Sequence, residues 1–209
     1  MAVRIDHATT SGTFSLDGQT FDVENNAWVV GDDQECVIID APHDVEAIRR
    51  LVGDRRVLAV LCTHAHDDHV RKAPELADAV GAPIVLHPDD LVLWNLVHPD
   101  RRPDREFADG QVVEVGGIGL QVLHTPGHAP GAVCLYSPEL GVVFTGDTLF
   151  AGGPGATGRS YSDFGTVTAS IRDRLLPLPE DTEVRTGHGE STTIGAVRPQ
   201  FEEWVARGY

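Results

Sequence analysis

One short segment constrains the fold of this chain more than any other. An apolar run, VLAVLC, leads directly into THAHDDH (residues 63–69), which places three imidazoles and two carboxylates within six residues. On an extended segment the rings of His64 and His66 project to the same side, and His69 lies one helical turn beyond His66. Zinc and similar metals favour imidazole nitrogen and carboxylate oxygen. The segment therefore predicts a buried strand that ends in a metal-binding loop.

Three further strand ends carry side chains of the same kind. His128 lies in TPGHAPG, Asp147 in FTGDT and His188 in TGHGE. Taken alone, residues 63–69 could be a polar loop in which Asp67 or Asp68 caps the next helix and the histidines are solvated. Four separated segments with metal-ligand side chains at their ends favour a metal centre over that alternative.

The first half of the chain alternates strand and helix patterns. GTFSL and QTFDV flank the turn-forming pair Asp17-Gly18 and predict a hairpin, and NAWVV and CVIID predict two further strands. Asp44 is a suitable N-cap for a helix whose apolar positions recur at residues 45, 48, 51 and 52. A second helix is predicted over residues 70–80, with Pro74 in its first turn and Gly81 at its end, followed by a strand at API-VL.

Strand and helix patterns also follow one another in the second half of the chain. The two halves are joined by residues 100–109, which are rich in Arg, Asp and Pro and are predicted to be an exposed connection. GLQVLHT, GAVCLYS and GVVFTGD predict strands. One helix face is marked by Phe164, Val167, Ile171 and Leu175, and a final helix by Val197, Phe201, Trp204 and Val205. The Gly-rich segment AGGPGATGRSYSD is predicted to be irregular. We expect one domain over residues 1–209, with two pseudo-halves that meet near residues 100–110.

Composition limits the classes of partner. The formal net charge of −16 disfavours nucleic acid, which needs clustered Lys and Arg. No apolar stretch approaches the roughly 18 residues that span a bilayer, and the N-terminus lacks the layout of a secretory signal. We therefore expect no membrane partner. Apolar runs surround Cys36, Cys62 and Cys134 and predict buried, reduced thiols, so we expect a cytoplasmic location.

Together, THAHDDH, TPGHAPG, TGDT and TGHG resemble the metallo-β-lactamase superfamily in identity and order over nearly the whole chain. The resemblance implies an α/β fold, a four-layer αββα sandwich with the metals at one edge. It assigns three residues to a first metal: His64, His66 and His128. It assigns three more to a second metal: Asp68, His69 and His188. Asp147 would bridge both metals, and none of the three cysteines is at a ligand position, unlike lactamases whose second site uses cysteine.

The remaining histidines match no ligand motif and are expected to be structural or solvated: His7, His43, His87, His98 and His124. Two side chains near the end of CVIID could still support the site. Asp40 could orient a ligand and His43 could lie just behind the ligands, because metal-bound histidines usually donate their other N–H to an acceptor.

The expected cofactor is a pair of divalent ions, with zinc first and iron or manganese as alternatives. Two such ions hold a hydroxide at neutral pH that can attack a carbonyl, and Asp68 could orient the water or accept its proton. GDTLFAGGPGATGRS and GHGESTTIG are most similar to compact glyoxalase II-like hydrolases, and the loop also resembles small hydrolases of mycothiol-using bacteria. The resemblance implies a small-molecule thioester substrate, of mycothiol or glutathione type, with Arg159 and Tyr161 as candidate contacts.

Three other functions stay open at this point. A persulfide dioxygenase resembles this pattern but uses one iron, held by the residues that match His64, His128 and Asp147. A lactonase would direct the same hydroxide at an ester. A non-catalytic metal-binding module would retain the ligands without turnover. The sequence specifies neither the native thiol and acyl group nor the oligomeric state.

Overall fold

Two six-stranded β-sheets pack face to face in the computed structural model, which describes residues 2–208. In spatial order the first sheet contains β1 (Arg4–Leu16), β2 (Gln19–Gly31), β3 (Glu35–Ile39), β4 (Arg56–Leu61), β5 (Ile84–Leu86) and β6 (Arg105–Glu106). The pairs β1/β2 and β2/β3 are antiparallel, and the pairs from β3 to β6 are parallel.

The second sheet follows in the chain and is mostly antiparallel. Its strands are β7 (Val112–Val115), β8 (Ile118–His124), β9 (Val133–Ser137), β10 (Val142–Gly146), β13 (Glu183–Thr186) and β14 (Thr192–Thr193), in the spatial order β14-β13-β10-β9-β8-β7. Only β10 and β13 pair in parallel. A small hairpin, β11 (Leu149–Phe150) and β12 (Gly153–Pro154), stands apart from both sheets.

Helices cover the outer faces of the two sheets. They are α1 (Val45–Val52), α2 (Asp67–Val70), α3 (Ala73–Val80), α4 (Leu91–Val97), α5 (Phe164–Ser170), α6 (Ile194–Val197) and α7 (Phe201–Arg207). A π-helical turn, Ile171–Leu175, continues α5, and 3-10 turns occupy Pro88–Asp90 and Arg198–Gln200. Within residues 2–208 none of these helices is long and apolar enough to cross a bilayer.

Three buried apolar clusters separate four layers. One lies between the first sheet and α1, α3 and α4, and includes Ile48, Leu76 and Trp94. A second lies between the sheets and includes Phe144, and a third lies between the second sheet and α5 to α7 and includes Trp204. Apolar burial drives each layer against the next. The predicted αββα sandwich is confirmed.

The predicted hairpin at Asp17-Gly18 is confirmed. Both turn residues have positive φ, 53° and 74°, as a tight two-residue hairpin turn requires. The prediction that QTFDV and NAWVV form separate strands is wrong, because they belong to the single strand β2. Its first half is largely exposed, whereas its second half, from residue 25 to 31, is buried on both faces, so one strand carries two burial patterns.

The two helices predicted in the first half of the chain are present, but one of them begins at a different residue. Asp44 caps α1 by accepting the Ala47 N–H at 2.9 Å, as predicted. The single helix expected over residues 70–80 is wrong at its start, because the chain forms α2 and then α3, with Pro74 in the first turn of α3 and Gly81 at its end. Pro74 lacks the N–H that a continuous helix would need.

Other segments depart from the sequence predictions in smaller ways. LVLWNLV forms α4, which the periodicity did not predict, and the Gly-rich segment contains part of the β11/β12 hairpin. Residues 100–109 are mostly exposed, as expected, yet Phe107 is buried between the sheets. Val205 was expected on the buried face of the last helix but is 42% exposed. Cys36, Cys62 and Cys134 are free and buried, as predicted.

Candidate metal centre

Three buried histidines converge at the shared edge of the two sheets and are called here the His triad: His64, His66 and His128. His64 Nε2 lies 3.0 Å from His66 Nδ1, which lies 2.9 Å from His128 Nε2. The first two follow strand β4 and the third follows β8, so the triad draws on both sheets.

The other ring nitrogens show which way the lone pairs of the His triad point. His128 Nδ1 lies 2.9 Å from the Ala156 carbonyl oxygen, to which it must donate, so its Nε2 carries a lone pair. Burial lowers the pKa of His64 well below its usual value and lowers that of His66 to about 3, so the rings are neutral. His66 Nε2 is buried without a hydrogen-bond partner. Neutral ring nitrogens that converge at such distances fit a shared cation.

A second set of ligand atoms lies alongside and is called here the Asp–His triad: Asp68, His69 and His188. Asp68 Oδ2 is 3.6 Å from His69 Nε2 and 3.2 Å from His188 Nε2, and the two Nε2 atoms are 3.2 Å apart. His69 Nδ1 contacts Asp40 Oδ2 at 2.9 Å, and His188 Nδ1 donates to the Glu24 carbonyl at 2.6 Å. The Nδ1 contacts thus orient both rings so that the Nε2 atoms point inward, where each can ligate a metal once it has lost its proton.

Asp147 lies between the two triads. Its Oδ1 is 3.2 Å from His69 Nε2, and its Oδ2 is 3.3 Å from His188 Nε2 and 3.6 Å from His128 Nε2. Oδ1 is buried without a hydrogen-bond partner. A desolvated carboxylate oxygen among inward-facing ring nitrogens is a donor set that fits two divalent cations, which would replace the protons on His69 and His188.

The carboxylates dominate the electrostatics of the Asp–His triad. Burial alone would lower the pKa of His188, but Asp147 and Asp68 raise it to about 10. Burial alone would favour neutral Asp68, but the charge of His69 and a hydrogen bond from His188 hold the pKa of Asp68 to about 2. The site therefore holds ionised carboxylates that attract cations.

Asp40 fixes the base of the centre from the end of β3. Its backbone has a positive φ of 62°. Its Oδ1 accepts the Thr63 N–H at 2.7 Å, and its Oδ2 accepts the Thr63 hydroxyl at 2.8 Å and contacts His69 Nδ1. Because Thr63 directly precedes the ligand loop, Asp40 orients the loop and His69 together, as its place at the strand end led us to expect.

One residue at the centre escaped the sequence analysis. Asn25, fully buried on β2, has its amide nitrogen 2.9 Å from Asp68 Oδ2. Its amide oxygen contacts His43 Nε2 at 2.8 Å, which places His43 behind the ligands. The only signal was the pair Asn25-Asn26 at the start of a buried apolar run, where polar residues require partners.

A cavity of about 270 Å³ opens onto the centre. Its walls are partly apolar, from Phe14, Val23 and Phe150, and it reaches the ligand side chains Asp68 and Asp147 among others. Such a mixture of apolar wall and convergent polar groups is typical of a small-molecule site.

The two candidate substrate contacts differ in position. Arg159 lines the cavity, and its guanidinium carbon lies 4.9 Å and 4.7 Å from the ring centroids of Phe14 and Phe21. Tyr161 has a positive φ of 69°, is 49% exposed and is not among the cavity-lining residues. The structure therefore brings Arg159 to the site and leaves Tyr161 outside it.

Apart from His43, the histidines outside the two triads make other contacts. The rings of His87 and His124 stack with centroids 4.1 Å apart and an interplanar angle of 13°, close to Asp89. Nearly parallel rings direct their in-plane lone pairs along parallel lines, so this stack is not arranged to share a metal. His7 stacks on Trp28.

The chain is similar to known proteins over most of its length. A family model described as the metallo-beta-lactamase superfamily matches residues 21–188. The hydroxyacylglutathione hydrolase GloC of Haemophilus influenzae is 34% identical over 187 residues, covering 82% of this chain and 88% of that relative.

Solved structures agree with the sequence comparison. The B3 metallo-beta-lactamase BLEG-1 superposes with a TM-score of 0.75 at 32% identity, covering 91% of this chain and 97% of that one. TTHA1623, solved in a di-iron-bound form, gives a TM-score of 0.74 at 36% identity and covers 84% and 93% of the two chains.

Proposed function

The chain belongs to the metallo-β-lactamase superfamily, and we propose that it is a two-metal hydrolase that cleaves thioesters of a low-molecular-weight thiol. Members of this superfamily bind divalent metals. The observation that carries the proposal is the pair of inward-facing triads with Asp147 between them. The relative named as a hydroxyacylglutathione hydrolase supports the thioester, and the di-iron neighbour supports two metals.

We assign the His triad to one metal, the Asp–His triad to the other and Asp147 to both. When bound, the ions supply a water of lowered pKa and an electrophile for the acyl oxygen. Zinc is the expected metal, with iron or manganese as alternatives.

The protein's own groups orient the reactants. Asp68 lines the cavity as an ionised carboxylate and can accept a hydrogen bond from the attacking water, so we assign it the role of orienting that water. Phe14 and Phe150 exclude bulk water from the acyl group, which strengthens the polar interactions inside. No Ser or Cys nucleophile is needed for this reaction.

The cavity supports a compact acyl group. Its volume of about 270 Å³ is close to the roughly 300 Å³ at the lower end of small-molecule sites. A lactoyl or formyl group fits such a space, and the thiol would extend past Arg159, whose guanidinium can bind a carboxylate or hydroxyl of the thiol. Conjugates of glutathione type and of mycothiol type are both consistent with that contact.

The test begins with protein purified without added metal. We expect about two zinc-like ions per chain and hydrolysis of S-lactoyl or S-formyl conjugates in a panel that also contains a lactone and a β-lactam. His66→Ala should abolish turnover, whereas His124→Ala, which alters a histidine outside both triads, should retain it.

The same measurements can also contradict the proposed function. One iron per chain with oxygen uptake on a persulfide would make the protein a dioxygenase. Turnover confined to the lactone or the β-lactam would keep the metal centre and remove the thioester. Two bound ions without turnover of any substrate would leave a metal-binding module.

A further inference from the structure

The ligand side chains of the Asp–His triad each have a partner behind them. His69 contacts Asp40, and His188 donates to the Glu24 carbonyl. Asp68 is held differently, because its Oδ2 accepts a hydrogen bond of 2.9 Å from the Asn25 amide. Asn25 thus gives the carboxylate of this triad a hydrogen-bond donor, as Asp40 and the Glu24 carbonyl give the two rings acceptors.

Asn25 is placed to act on the whole triad. The same amide nitrogen lies 3.2 Å from His69 Nε2 and 3.3 Å from His188 Nε2. The residue is fully buried on β2, so bulk solvent does not reach its amide. A buried amide must satisfy both of its ends within the protein.

His43 determines which end of the amide faces Asp68. Its Nε2 lies 2.8 Å from Asn25 Oδ1, and because this oxygen is an acceptor, the ring nitrogen must be the donor. With the oxygen bound in this way, the NH₂ group is directed at Asp68. His43 itself packs closely on β1, where a Cβ added at Gly12 would lie 2.2 Å from its Nδ1. Gly12 therefore leaves room for the ring.

We propose that His43 and Asn25 form a positioning pair that holds the Asp68 carboxylate and thereby sets the affinity of the metal position at the Asp–His triad. When a metal takes His188 Nε2, Asn25 is left as the hydrogen-bond donor to the Asp68 carboxylate, and without that donor the cost of ordering the carboxylate would oppose metal binding. The inference rests on the metal centre proposed above and is independent of its substrate.

Metal affinity tests the pair without any activity measurement. The His128→Ala substitution disrupts the His triad, so zinc binding in that background reports on the Asp–His triad. The His188→Ala substitution disrupts the Asp–His triad, so zinc binding in that background reports on the His triad. Competition with a chromophoric chelator gives the zinc dissociation constant in each. In the His128→Ala background, Asn25→Leu should raise the zinc dissociation constant about 10- to 100-fold, which is the usual effect of losing a side chain that hydrogen-bonds a metal ligand. In the His188→Ala background, the same substitution should leave the constant within about threefold of its value without Asn25→Leu.

Matched variants separate positioning from general disruption. Asn95→Leu makes the same substitution at an exposed position of α4 and should change neither constant. His43→Leu should weaken zinc binding at the Asp–His triad, and His43→Gln, which keeps a donor, should restore most of it. Gly12→Ala should act like His43→Leu, because it displaces the ring. The His43 and Gly12 variants leave Asn25 in place, so they test the pair if Asn25→Leu does not fold.

Two results would overturn the inference. Unchanged zinc affinity in folded Asn25→Leu would show that Asp68 needs no donor. An equal loss in both backgrounds would show that the buried amide supports the fold and not one metal position. If the parent protein hydrolysed no thioester in the substrate panel while the zinc affinities changed as expected, the proposed substrate would be wrong and the positioning pair would still stand.

Discussion

Replacing Asp90 tests how the fold holds the His triad. This carboxylate is fully buried, and its Oδ2 accepts the Ala65 N–H at 2.7 Å while its Oδ1 accepts the Gly131 N–H. Ala65 separates two residues of the His triad, and Gly131 lies three residues after the third. A Cβ at Gly131 would lie 2.9 Å from Asp90 Cβ, so the close approach depends on glycine. One side chain thus joins both loops of the triad.

The cost of removing Asp90 can be worked from these two bonds. Asp90→Ala leaves two buried N–H groups unpaired, each worth about 1–3 kcal/mol. The variant also removes a desolvated acid, whose pKa burial raises to about 7, and this offsets part of the loss. We expect a net destabilisation of about 2–4 kcal/mol for Asp90→Ala and about 1–3 kcal/mol for Asp90→Asn, which keeps the volume and one acceptor.

Urea unfolding measures the stability, and chelator competition in the His188→Ala background measures the zinc affinity of the His triad. Both should fall in Asp90→Ala, and Gly131→Ala should lower both through steric pressure on the same carboxylate. The reasoning would be refuted if the free energy of unfolding of Asp90→Asn lay within about 0.5 kcal/mol of the parent value and its zinc affinity were unchanged. Other contacts would then hold the two loops.

Two further predictions concern pH and substrate. Because burial raises the pKa of folded Asp90 to about 7 while an unfolded Asp titrates near 3.9, the folded protein binds an extra proton between these values. The free energy of unfolding of the metal-free protein, measured in urea and taken relative to Asp90→Asn at each pH, should therefore fall as pH increases from about 4 to 7. The comparison cancels the opposite slope of the buried neutral histidines, and a difference that stays constant or increases over that range contradicts the assignment. Arg159→Met should raise KM about tenfold or more with kcat nearly unchanged, as for a lost charge-assisted contact to the thiol, and a selective loss of kcat would argue against that role.

The candidate site was largely predictable because its ligands are local to strand ends. Residues 63–69 follow β4 directly, and the other ligands follow β8, β10 and β13 within a few residues. Once the strands pack into two sheets with these ends at one edge, the side chains must meet. The apolar runs and turn pairs that mark strands are also local, so most strands could be predicted, whereas the αββα architecture was implied by the resemblance of the four motifs to a known superfamily.

Features that depend on long-range packing were not predictable. Asn25 reaches Asp68 only because the buried half of β2 passes beside the ligand loop, 43 positions away in the chain. The continuity of β2 was hidden because its two halves face different surroundings. For Asn25 and β2 the deciding contacts involve residues distant in sequence. Tyr161 was a candidate because of its place in the Gly-rich loop, but its backbone has a positive φ and its side chain is exposed, which the sequence pattern did not indicate.

The same long-range packing links metal binding to the association of the two sheets. Asn26 N–H bonds the Gly187 carbonyl at 2.7 Å, and Trp28 Nε1–H bonds the Thr186 carbonyl at 3.2 Å, so β2 of one sheet holds the segment that carries His188 in the other. Each triad also combines ligands from both sheets. Ions that bind only when the sheets are docked must stabilise the docked state by mass action, in proportion to their affinity. Metal removal should consequently loosen the contact between the sheets at this edge before it affects the apolar clusters beneath the outer helices.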